Sequence, residues 1–196
     1  MDELYHYGVK GMKWGQRRAQ KKAAKSKYKS AKSIAYEKYK KNTSKYDNEL
    51  DERLVAFDKG RISRVDFEKV NAKATKHDAA AYQKYQDEKA KAKRDYKVSI
   101  GKNEKRANAR YESAKKRNAN HAQQQWDDYV EDIVRYNPEV ANSLARMGTM
   151  RYSEISKANQ NIQAAMEYEQ SRQNMRIAQL ELENQRLRSQ QYQQDR

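Results

Sequence analysis

Five cations, Arg18, Lys22, Lys25, Lys29 and Lys32, recur at steps of three and four in a stretch that holds no acid between Met12 and Tyr36. On a helix that spacing turns all five to one side. With Arg17 beside them and Tyr28 and Tyr36 nearby, they form a stripe suited to phosphate contact. A solvated lysine face is the other use of such a stripe, and the lack of any balancing acid favours contact. Lysine dominates, and no base-reading module accompanies it, so the nucleic acid expected as partner is bound without regard to sequence.

Other chemistry-bearing residues are sparse. His6, His77 and His121 are far apart in a chain without cysteine, so packing or hydrogen bonding is expected of His77 rather than ligation. Asp127, Asp128, Glu131 and Asp132 put Asp128 and Asp132 one turn apart, but no oxygen-rich loop accompanies them and a solvated helix face is expected. No nucleophile elbow, phosphate loop, zinc-protease helix or dinucleotide fingerprint occurs. The expectation is a non-enzyme with no catalytic residues, no cofactor and no metal.

The elements that must carry the stripe are helical. Of 196 residues only 36% are apolar and the mean hydropathy is −1.39, which argues against a thick core. Leu occurs seven times, Phe twice and Tyr fifteen times, so tyrosine is the main packing residue and suits thin helix-on-helix contacts. No run of about 18 apolar residues is present, so no membrane span is expected, and the N-terminus lacks a signal peptide's apolar run. Charge is asymmetric: residues 126–196 hold nine Lys and Arg against eleven Asp and Glu, leaving residues 1–125 with net +18. A polyanion is the expected partner of that first part.

From Gln16 to Asp58 there is no Pro or Gly, which predicts one long helix. It carries an apolar stripe of Tyr36, Tyr39, Thr43, Tyr46, Leu50, Leu54 and Phe57. Gly60, followed by Ser63 and Asp66, predicts a helix end and a capping box. A second helix from about Arg64 toward Asn118 should fold back with paired residue numbers summing to about 122, an alignment that places Tyr36 near Tyr85. Gly101 either breaks or merely weakens that helix. The same alignment sets Arg17 to Lys32 beside residues 90–105, so two lysine-rich segments meet where only an anion, or solvent and salt, can screen them.

Beyond a Gln/Asn-rich stretch, WDDYVEDIVRY reads as a short amphipathic helix and PEVANSLARM as another, begun by Asn137-Pro138 and closed by Gly148. A last helix from about Ser153 to near Gln191 carries Ile155, Ile162, Met166, Ile177, Leu180 and Leu187, a broken stripe that suits an oligomeric or partner-bound helix better than a lone one. The predicted organisation is all-α and elongated. Residues 1–15 are a linear anchor peptide, 16–120 a basic helical hairpin, 121–150 short helices, and 151–196 a coiled-coil-like, Gln-rich helix.

The opening peptide differs from all of this. Tyr5, His6, Tyr7, Gly8, Val9, Lys10, Gly11, Met12, Lys13, Trp14 and Gly15 interleave rings, glycines and lysines. The glycines make the peptide a poor helix, and the rings and lysines make it adhesive. With Arg17 and Arg18 it resembles the short HYGVKGMKWG(x)RR motif found near the ends of virion and head-associated proteins of bacteriophages and prophages. The resemblance covers under a tenth of the chain, and Gln16 stands where Val is common. It implies a partner among phage head or portal proteins, with Tyr5, His6, Tyr7, Gly8, Lys10, Gly11, Lys13, Trp14 and Gly15 as the binding motif. The location it implies is the virion, or the host cytoplasm during assembly. On this reading the chain is a structural or virion-associated phage protein. A scaffolding-like assembly factor and a host-directed nucleic-acid-binding regulator are the alternatives.

Overall fold

A computed structural model describes residues 14–194, and among them the protein is all-α, without strands. Its helices are α1 (Trp14–Asp58), α2 (Arg64–Ser99), α3 (Glu104–Tyr136), α4 (Pro138–Arg146) and α5 (Tyr152–Gln194). No helix among the described residues is long and apolar enough to cross a membrane. At 1.5 Å per residue the 45 residues of α1 extend about 68 Å.

Three helix ends close in the same way. Gly60, Gly101 and Gly148 take φ values of 65°, 76° and 70°, the left-handed region open to glycine. At the first, the Gly60 amide donates to the Phe57 carbonyl at 2.8 Å and that of Arg61 to Ala56 at 2.9 Å. At the second, Gly101 donates to Val98 at 2.9 Å and Lys102 to Lys97 at 3.0 Å. These paired bonds satisfy carbonyls that the ending helix leaves free. New helices then start on side-chain caps. The Ser63 hydroxyl accepts the Asp66 amide at 3.1 Å, and the Asn103 side-chain oxygen accepts the Arg106 amide at 3.0 Å.

One open alternative is decided and one expectation corrected here. The helical stretch from Arg64 toward Asn118 is broken at Gly101 rather than merely weakened, because glycine closes α2 and Asn103 caps α3 two residues later. The short helix expected from Trp126 is the C-terminal end of α3.

Contacts divide the protein into two compact units between Tyr129 and Val130. In the first, α1 and α2 form the antiparallel hairpin in the expected alignment. Phe57 stacks on Phe67 at 5.3 Å, Tyr46 on His77 at 3.9 Å, and Tyr36 meets Tyr85 edge-on at 6.0 Å. Tyr39 stacks on Tyr85 at 5.5 Å and Tyr28 meets Tyr96 at 5.7 Å. Between the rings sit buried alanines, Ala35 on α1 and Ala74 and Ala81 on α2. Small residues let the helices approach while aromatic pairs add about 0.5–1.5 kcal/mol each. Leu54, expected in the stripe, is 44% exposed, because it lies one residue past the heptad position that Tyr39 and Tyr46 hold.

The 104–129 part of α3 runs back along α2. The Asn118 amide donates to Asp87 at 2.8 Å, His121 packs on Tyr82 at 5.6 Å, and Lys76 lies 4.0 Å over the buried ring of Trp126. At the far end the Tyr129 hydroxyl donates to the carboxylate of Glu68 at 3.1 Å. That buried carboxylate also accepts from Asn71 at 2.9 Å and faces Arg64 at 3.5 Å, so it is not left bare. Burial, and then the charge of Glu68, push the Tyr129 phenol up, which keeps it a donor.

In the second unit the buried residues are Val130, Ile133 and Val134 at the end of α3, Ala141, Leu144 and Ala145 on α4, Met150, and Ile155 and Ala158 at the start of α5. Asn137 and Pro138 begin α4 as expected, although Asn137 makes no side-chain cap bond. The Glu154 carboxylate accepts the Arg151 amide at 2.7 Å and opens α5.

Candidate polyanion interface

Arg18, Lys22, Lys25, Lys29 and Lys32 all lie on α1 and are exposed, and Arg17 is half-buried. The seam is taken by Ala24, Tyr28 and Ala35, of which both alanines are buried. The five cations flank the seam rather than enter it. Of the opening motif, Trp14 and Gly15 belong to the first turn of α1, a correction to a peptide expected to be non-helical through Gly15. Glycine costs least at a helix end, where backbone bonds are already missing. Tyr5, His6, Tyr7, Gly8, Lys10, Gly11 and Lys13 lie outside the described residues. Trp14 is half exposed, and the Arg18 guanidinium stacks 3.5 Å from its ring centroid. Motif and stripe therefore share a contact one helical turn apart.

The expected meeting of α1 with residues 90–105 is present: the Gln20 amide donates to the Ser99 carbonyl at 3.1 Å. A feature that the sequence did not announce lies on the other side of α2. Because the chain turns at Gly101, α3 returns a second set of cations to the one on α2. Lys93, Arg94 and Lys97 from α2 and Arg106, Arg110 and Arg117 from α3 line a groove of about 560 Å³, with Tyr111, Ser113 and four alanines completing its wall. No acid is among the lining residues.

The groove's electrostatics follow from that crowding. Partial burial, and then Arg110, Lys93 and Arg106, hold the Lys97 ammonium below its ordinary value. Arg94 is the exception. Its guanidinium bonds the neighbouring carboxylate of Asp95, with Nε at 2.9 Å, and its face lies 5.5 Å from the Tyr111 ring centroid. A concave strip of positive charge with an aromatic ring in its wall suits an extended anion.

Neither His77 nor His121 stands near a partner set for a metal. His77 stacks on Tyr46 and His121 packs on Tyr82. Among the described residues no three His, Asp or Glu side chains converge on a common point.

The opening peptide also carries a similarity to other proteins. Residues 1–21 match the model of a family of unknown function, DUF7211. The match spans the motif and ends at Lys21, inside the first turns of α1. No curated protein and no solved structure matches the chain.

Proposed function

We propose that this is a non-enzymatic phage structural or virion-associated protein that holds DNA along its basic helical hairpin and is anchored by its N-terminal motif. The observation that carries the DNA-contact reading is the groove between α2 and α3. Six cations line it without an acid among them, and the cost of holding Lys97 charged there has a purpose if a phosphate chain neutralises it. The α1 stripe adds five further cations to the same hairpin. The phage assignment rests on the resemblance of Tyr5 to Arg18 and on nothing else in the chain. A scaffolding-like assembly factor is the second reading, favoured by the exposed apolar residues of α5.

DNA binding measured against salt tests the interface. Changing Lys93, Lys97, Arg106 and Arg110 together to Gln preserves helix propensity. The variant should bind duplex DNA more weakly whatever the sequence, and its log–log salt slope should shrink by about 0.9 for each phosphate that it no longer neutralises. An unchanged affinity and slope with intact circular dichroism would reject the groove as the DNA site. Mass spectrometry of purified phage particles tests the location: the structural reading requires the chain to be present, and the assembly-factor reading requires it to be absent from mature particles.

A further inference from the structure

From Gln163 to Gln191 every residue of α5 is exposed, a helix of about 43 Å that no other described part of its own unit covers. Isolated helices in water are marginal without a packed face. Met166, Ile177, Leu180 and Leu187 are 67%, 54%, 52% and 56% exposed. These four fall into one unbroken alternation of four and three, in which Met166, Gln173, Leu180 and Leu187 hold one seam position and Gln170, Ile177, Asn184 and Gln191 the other. We propose that α5 pairs with α5 of a second copy as a parallel, in-register, two-stranded coiled coil over residues 166–191.

Three features choose this occupant and this alignment. Ile177 and Leu180, followed by Leu187, put a β-branched residue at the first seam position and leucine at the second, the arrangement that favours two parallel strands. Asn184 sits at the first seam position between them. In register it faces the same asparagine of the second copy, which satisfies both amides, whereas a shifted pairing would bury each against leucine. The flanking charges also complement each other. Across the pair Arg176 would reach Glu181, and Glu183 would reach Arg188, five residues along in both cases, the separation that joins flanking positions of two parallel helices.

Tyr168, Met175 and Leu182 recur at steps of seven on the opposite side. Between them come Ser171, Ala178 and Gln185, so that line offers fewer large apolar residues. It supplies the control. The pairing does not depend on the DNA-contact reading and is tested without DNA.

The full chain, freed of nucleic acid, is followed by sedimentation over a range of concentrations. A monomer–dimer equilibrium is expected. Leu180→Ala and Leu187→Ala, which keep the helix, should each weaken the dimer about tenfold or more, and Leu182→Ala should not. Because the chain has no cysteine, Gln191→Cys provides one thiol per copy, and oxidation should join the pair. In an antiparallel pair centred on Leu180 the two thiols would be about 33 Å apart. A monomer at every concentration, dissociation by Leu182→Ala, or a dimer that Gln191→Cys does not crosslink would overturn the proposal.

Discussion

Lys97 is the residue at which stability and the proposed DNA contact pull apart. Partial burial and three neighbouring cations, Arg110, Lys93 and Arg106, hold its ammonium below the ordinary value. A lysine so shifted weakens the fold while it is charged, and the penalty is relieved only as pH rises from its folded value to the ordinary one. Lys97→Gln should therefore raise the thermal midpoint at low salt, with the gain fading at high salt as screening replaces the substitution, and at the same time weaken DNA binding. A lysine that served packing alone would give the opposite sign in the melting experiment. Asp78 offers a second test by pH. Burial first, and then Asp47, push its carboxyl up, while the adjacent His77 opposes the shift. Its folded value lies above the unfolded one, so its contribution to stability is complete below the ordinary carboxyl range and is lost as pH rises through the folded value. Asp78→Asn should leave the melting temperature unchanged at the acid end and raise it toward neutrality. A parallel pair of pH curves, displaced but not diverging, would count against this.

At the scale of elements, the hairpin was legible because its signals were local and agreed with one another. No Pro or Gly interrupts residues 16–58, Gly60 ends the helix, Ser63 and Asp66 restart it, and tyrosines spaced by three and four fix the alignment to within a few residues. The groove was not legible, and Gly101 is the reason. A glycine within a helical pattern either weakens a helix or ends it, and hydrophobic periodicity does not distinguish the two. The deciding signal was a polar one, Asn103 two residues on, which caps a free amide in the first turn of α3. Taken as a stop followed by a cap, like Gly60 and Ser63, that pair predicts a third antiparallel element and brings Arg106 and Arg110 back to Lys97. Glu68 and Tyr129, 61 residues apart in sequence, had no signal of their own, because neither type announces burial. The Trp14–Arg18 stack was within reach, since the two residues lie four apart on a helix.

For the whole molecule, the two proposals bear on each other through charge and number. The positive excess belongs to residues 1–125, and residues 126–196 are close to neutral at net −2, so under the proposed function α5 would add little to DNA affinity by itself. Its effect would come through pairing: a second copy held by α5 presents a second basic hairpin at an effective concentration set by the connection rather than by the bulk solution. That predicts a dependence on DNA length. On a duplex long enough for both hairpins, the combined variant Leu180→Ala and Leu187→Ala should lose affinity about tenfold or more, and its salt slope should fall because fewer phosphates are neutralised per binding event. On a duplex that admits one hairpin only, the same variant should match the unaltered protein in both quantities. The groove variant with four Gln should lose affinity on both lengths. If the α5 variant lost affinity equally on short and long duplexes, α5 would be contacting DNA or supporting the hairpin's fold, and the division into a binding half and a pairing half would fail.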